Sequence, residues 1–154
     1  MAVIAVSPEV DAGALLPGAQ FIDAYSVGVA QPLDARQAAI RMMTRSPRWV
    51  AALMALRNIM VAPLGLSRPQ PDAAPRADRI GIFPVISETP QRLIAGFDDS
   101  HLDFRVVVDV APAGNGSRVT ASTLVLTHNL IGRSYLAVIL PFHRLVVRAM
   151  LRQV

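Results

Sequence analysis

The chain contains no cysteine and no lysine, few aromatic residues, and no acid after Asp109. The missing cysteine removes disulfides, thiolate zinc sites and thiol nucleophiles together. Any chemistry therefore falls to imidazole, carboxylate, hydroxyl or guanidinium groups. Aromatics are 5% of a composition that is 53% hydrophobic, so Leu, Val, Ile, Ala and Met must supply the packing. Every basic residue is an arginine, and these are scattered at nearly even spacing rather than gathered into a stripe. That pattern argues against nucleic-acid binding. The N-terminus lacks the basic region, compact apolar run and cleavage site of a secretory signal, and the sequence reads as cytoplasmic. In the C-terminal region the longest uninterrupted apolar run, Leu136 to Phe142, contains Pro141 and is far shorter than the roughly 20 residues of a membrane span. No transmembrane segment is expected.

At 154 residues the length suits one domain with one core. Residues 1–18, punctuated by Pro8, Gly13, Pro17 and Gly18, read as a loosely attached arm, and 19–154 as the domain proper. From Gln20 to Val29, Phe21, Asp23, Tyr25, Val27 and Val29 share one parity of a first strand. Asp34 then caps a helix, and Ser46-Pro47 opens a second that runs to about Met60. The proline-bearing stretch from Ser67 to Asp78 reads as a connecting loop. Four strand-like runs follow, Ile80 to Ser87, Gln91 to Phe97, His101 to Val110 and Arg118 to His128, joined by turn-type sequences that suit an antiparallel meander. A long helix from Leu130 closes the order β-α-α-β-β-β-β-α, which is an α+β class.

Several blocks occur in sequence: Gly81-Ile82-Phe83-Pro84-Val85, Leu102-Asp103-Phe104-Arg105, Thr127-His128-Asn129, Gly132-Arg133-Ser134-Tyr135 and Pro141-Phe142-His143-Arg144. Together they resemble the bacterial domain of unknown function 2867 family, over roughly Leu16 to the C-terminus. That family is similar in organisation to the START-like, or Bet v 1-like, helix-grip superfamily. The resemblance implies a curved antiparallel sheet wrapped around the C-terminal helix with an apolar cavity between them. It implies no established activity.

On the last helix, Arg133, Arg144, Arg148 and Arg152 project into one sector at 100° per residue. Tyr135, Val138, Ile139, Phe142, Leu145, Val146 and Met150 project into the other, and His143 lies within that apolar arc. A buried imidazole needs a partner, so His143 is either a core histidine bonded to a backbone carbonyl or an acid/base group in a cavity. Tyr135 presents the same choice. In the third of the four strands, His101, Asp103 and Arg105 share one parity. They form an exposed ladder if that face meets water and a polar end of the cavity if it meets the helix. In the second case Arg105 would bind an anion, Asp103 would orient it, and His101 would transfer protons. Asn129 is expected to cap the last helix, and Glu88 to be a solvated turn acid. The methionines Met42, Met43, Met54 and Met60, with Trp49, suit either core or a cavity wall.

With only His101, His128 and His143 as imidazoles and no i, i+4 pair among them, no metal is expected. There is no Gly-rich phosphate loop and no nucleophile elbow, and no cofactor is implied. The leading expectation is a small hydrophobic ligand held between sheet and helix, with Asp103, Arg105, Tyr135, Ile139 and His143 as binding residues. A cyclase- or hydratase-like enzyme would use the same cavity, with His143, His101 or Tyr135 as catalytic candidates. A protein-interaction module is the third reading, and assembly of identical copies is compatible with all three.

Overall fold

The structure is a computed structural model and describes residues 2–45, 48–61, 79–80, 83–98 and 101–154. The elements are β1 (Ile4–Ala5), α1 (Ala12–Leu15), β2 (Phe21–Val29), α2 (Ala35–Thr44) and α3 (Arg48–Val61), then β3 (Arg79–Ile80), β4 (Phe83–Glu88), β5 (Arg92–Asp98), β6 (Leu102–Ala113), β7 (Gly116–Thr127) and α4 (Leu130–Leu151). Ser46-Pro47, the loop from 67 to 78, and the first two residues of the Gly81 block lie outside the described residues, as do the side chains of Met54 and Met60.

The strands form one open antiparallel sheet in the order β1-β2-β7-β6-β5-β4-β3. With α4 laid on one face, this is the α+β class that the element order implied, in the helix-grip-like form that the family resemblance implied. β1 was not read from sequence, and the run read as one strand from Ile80 is divided between β3 and β4; β1 and β3 are each only two residues long. They sit at the two edges, where short strands leave little unpaired backbone to recruit another chain.

Alternation along the strands divides the sheet into two faces. Tyr25 stands opposite Ala121, and Ala121 opposite Val108, which puts the odd residues of β2 and β7 and the even residues of β6 on one side. This inner face carries Tyr25, Val27, Leu93, Val106, Val108 and Val119, packed with Ala35, Ala38, Ala39 and Met42 of α2 and Val147 and Leu151 of α4. The helix α2 is placed here by its start: Asp34 Oδ1 accepts from Gln37 N while Gln37 Oε1 accepts from Asp34 N, a reciprocal capping box.

The outer face carries a second, smaller cluster of Leu16, Ile94, Val107 and Leu124. Within the segment expected to be loosely attached, Val10, Ala12, Leu15 and Leu16 instead pack against this cluster. Backbone pairing of Ile4 and Ala5 with β2 fixes one end of the segment, and Leu16, only 4% exposed, fixes the other. Prolines and glycines in this stretch shape a path across the sheet; they do not release it.

The helix α4 starts where the sequence placed it, with Asn129 as N-cap accepting from Gly132 N at 3.0 Å. A Cβ on Gly132 would come within 2.1 Å of the His101 carbonyl oxygen, so only glycine lets the first turn approach β6 this closely. Length and composition alone would let α4 cross a membrane, although it lacks the uninterrupted apolar run the sequence reading looked for. Its wide apolar arc is also not all clamped. Val147 and Leu151 are buried, whereas Val138 and Leu145 are 57% exposed and Phe142 is 50% exposed. The expectation that these three face the sheet with His143 is thereby corrected, because an arc wider than one contact stripe leaves its margin outside.

Candidate functional site

Tyr135, Ile139 and His143 recur every four residues along α4, so their side chains form one stripe, and all three are half-buried. The stripe faces the inner side of the sheet. Opposite it, β2 presents Phe21 and Asp23 on the same parity as the core residues Tyr25 and Val27. The His143 ring stands edge-on to Phe21, with centroids 5.8 Å apart and planes at 84°. Its Nε2 lies 3.4 Å from Asp23 Oδ1 and 3.3 Å from Oδ2. The two side chains are 15% and 17% exposed, so the contact is largely out of water.

The partner of His143 is thus a carboxylate 120 residues away and not a backbone carbonyl. Only Oδ1 has hydrogen-bond geometry towards the imidazole. Despite its short distance to Nε2, Asp23 Oδ2 is buried and accepts no hydrogen bond from any described residue. A buried acceptor left in that state is costly, by about 1–3 kcal/mol and more for a charged group. Burial along α4 is uneven in a way that bears on this. Tyr135, Leu136, Ile139 and Leu140 face the sheet yet are only half-buried, while Val147 and Leu151 further along are fully covered. The first turn of α4 meets the end of the sheet at Gly132 against the His101 carbonyl, and its last turns meet the sheet at Val147 and Leu151. Between them the stretch from Tyr135 to Leu140, with the His143–Asp23 pair at its C-terminal side, is the least covered part of the seam, a wedge between helix and sheet.

Asp103 and Arg105 are elsewhere. Their register opposite Leu126 and Leu124 puts both on the outer face, so neither lines the space between sheet and α4. They are not paired with each other either. Arg105 Nη1 binds Asp98 Oδ1 at 2.7 Å and the Phe104 carbonyl at 2.9 Å, while Asp103 Oδ1 meets His128 Nε2 at 2.9 Å. His101 is engaged in holding the start of α4. Since Asn129 Oδ1 accepts from Gly132 N, its Nδ2 donates to His101 Nδ1 at 2.8 Å. Gly132 and His143 are eleven positions apart, roughly 16 Å along the helix, so His101 and His143 belong to different places. Glu88, read as a solvated turn acid, ends β4 and takes a bidentate pair from Arg36 of α2, at 2.7 and 2.5 Å. That contact holds the Glu88 carboxyl below the usual carboxylate range.

Two clefts open away from the wedge. One, of about 400 Å³, lies on the outer face between β1 and the hydroxyls of Ser26, Thr120 and Ser122, walled by the Arg92–Asp109 pair. The other, of about 450 Å³, lies where the C-terminal ends of α2 and α4 gather Arg41, Arg45 and Arg152. Those arginines also offset the negative ends of the two helix dipoles. Among the described residues no group of three or more His, Asp or Glu side chains is placed to hold a metal.

The one residue of the pair that sequence reasoning missed is Asp23. Its signal was visible: it is an acid on the strand parity otherwise given to Phe21, Tyr25 and Val27.

The sequence profile of a family described as "Protein of unknown function (DUF2867)" matches residues 15–150. No curated protein matches the chain. Among solved structures, CalU16 from Micromonospora echinospora is 14% identical, with a TM-score of 0.37 over 86% of this chain and 80% of that one. A likeness this distant carries no weight for ligand or activity.

Proposed function

The chain belongs to the DUF2867 family, and we propose that it binds a small, largely apolar molecule in the wedge between the inner sheet face and α4. The observation that carries this reading is the stripe of Tyr135, Leu136, Ile139 and Leu140, turned to the sheet yet only half-buried. Large apolar side chains left in that state gain by covering with another apolar surface, at about 25 cal/mol per Å². Asp23 Oδ2 adds a direction. A ligand with one hydroxyl or amide donor at its leading end would satisfy the buried oxygen that no described residue serves. Tyr135 and Ile139 would line the wedge and His143 would orient Asp23. Asp103 and Arg105, on the other face, have no part in it.

Native mass spectrometry of freshly purified protein tests this. A retained small-molecule mass is expected, and Leu136→Trp, which fills the wedge, is expected to abolish it while the far-ultraviolet circular dichroism stays unchanged. Retention undiminished in Leu136→Trp would overturn the reading, and so would a wild-type spectrum of bare protein alone.

A second reading, a cyclase- or hydratase-like reaction on the bound molecule, is favoured by the His143–Asp23 pair itself. A carboxylate fixing one ring nitrogen orients the imidazole for proton transfer at a neighbouring atom. His143→Gln separates the two readings: binding is expected to weaken only in part, because the Gln amide can still donate to Asp23, whereas turnover is expected to be abolished.

A further inference from the structure

The outward half of α4 has a composition that neither the fold nor the wedge explains. Its exposed large side chains are Leu130, Ile131, Val138, Phe142 and Leu145, with relative exposures of 76, 39, 57, 50 and 57%. The charged side chains on the outward side of the helix and its C-cap are all arginines, Arg133, Arg144, Arg148 and Arg152, and all are exposed. No acid occurs in the helix or anywhere after Asp109. An ordinary solvated helix face mixes charges of both signs and scatters its large apolar residues singly. Here Ile131, Val138, Phe142 and Leu145 project within about 60° of one another at 100° per residue, with Arg148 and Arg152 along one margin of the stripe. Only 11% of the apolar stretch of the helix is buried.

We propose that this face docks on an anionic lipid surface, with α4 lying in the plane of the membrane. The apolar stripe would enter the boundary between headgroups and acyl chains, while Arg152 at its margin and the exposed, more lateral Arg144 reach lipid phosphates with their long side chains. Charge selects this occupant. A second copy packing the same stripe antiparallel would set arginine against arginine with no acid on either helix to pair them. A surface that is both deformably apolar and negatively charged meets both halves of the pattern. The helix does not cross the bilayer in this arrangement. Val147 and Leu151 belong to the main core, His143 contacts Asp23, and Arg148 lies 5.4 Å over the Tyr25 ring, so insertion as a span would strip α4 from the sheet.

Co-sedimentation of the full chain with vesicles tests the proposal, using phosphatidylcholine alone and phosphatidylcholine mixed with phosphatidylglycerol. Binding is expected to the mixed vesicles only and to weaken as salt is raised. Arg144→Glu changes the local charge by two and is expected to weaken binding roughly tenfold or more. Phe142→Ser combined with Leu145→Ser is expected to weaken it by a comparable factor. These positions are exposed, and an unchanged thermal midpoint in both variants shows that the loss is not one of folding. Failure to bind mixed vesicles overturns the proposal, as does equal binding to neutral ones. A concentration-dependent dimer that Phe142→Ser dissolves overturns it too, because a second copy would then be the occupant.

Discussion

The two faces of the sheet are built from the same strands in strict alternation, yet they are closed by different means. The inner face is covered by helices, and its core is mostly aliphatic, with Tyr25, Thr123 and Asp23 among the exceptions. The outer face is covered by the segment from Val10 to Ala19 over Leu124 and Val107, then turns polar at Ser26, Thr120, Ser122 and the Arg92–Asp109 pair. Each face thus holds a carboxylate in a different condition. Asp109 is matched, with Arg92 Nε on Oδ1 at 2.6 Å and Nη2 on Oδ2 at 3.1 Å. Asp23 is less fully matched, with His143 Nε2 3.4 Å from Oδ1 and 3.3 Å from Oδ2 and only Oδ1 in hydrogen-bond geometry. A fully paired acid reads as structure, and an acid held in an apolar layer with a free acceptor reads as a site.

The largest effect tests whether the outer face is sealed at all. Leu93→Ala on the inner face and Leu124→Ala on the outer remove side chains that are 1% and 0% exposed. Each is expected to cost about 2–5 kcal/mol in urea unfolding. If Leu124→Ala cost no more than a surface change, residues 10–19 would not be a cover and the two faces would not be comparable.

Next in size is the contrast between the carboxylates. Asp23→Asn keeps an oxygen that can accept from His143 Nε2–H while removing a carboxylate with one oxygen outside hydrogen-bond geometry, and is expected to leave the unliganded protein as stable or more stable, by up to about 1 kcal/mol. Asp109→Asn strips Arg92 of its two-point partner, the contact that also raises the Arg92 pKa. With Arg92 37% exposed, solvent screening limits the loss to about 1 kcal/mol or less. Opposite signs in paired thermal melts are the expected result. Destabilisation by Asp23→Asn equal to that of Asp109→Asn would make the inner pair a structural contact and remove the reason to place a ligand there.

Much of this was legible in the residues. The period of two in β2 and β6, the Asp34 and Asn129 caps, and the i, i+4 stripe of Tyr135, Ile139 and His143 follow from local chemistry that tertiary contacts did not override. What was not legible depends on pairing across the chain. Which parity of β6 faces the helix is decided by its register with β7, and that placed Asp103 and Arg105 outside. The partner of His143 lies 120 residues upstream, beyond any periodicity argument. Periodicity also cannot say which part of a wide apolar arc meets the sheet, and so Val138, Phe142 and Leu145 were misplaced. The N-terminal segment was misjudged because its Pro and Gly punctuation outweighed the Leu15-Leu16 step that anchors it.

The smallest effect concerns the strap between the two layers, Arg36 of α2 on Glu88 of β4. The hydrogen bond from Arg36 depresses the Glu88 pKa, so the folded carboxyl is ionised at a lower pH than the unfolded one. Its contribution is therefore complete above the unfolded pKa and is lost as pH falls through the folded one. Both groups are partly exposed, and salt is expected to shrink the contribution further. Glu88→Gln should lower the thermal midpoint slightly at neutral pH and converge with wild type in acid. If the gap instead persisted at low pH and high salt, the contact would act through packing of α2 on β4, and the inner layer would be held by shape alone.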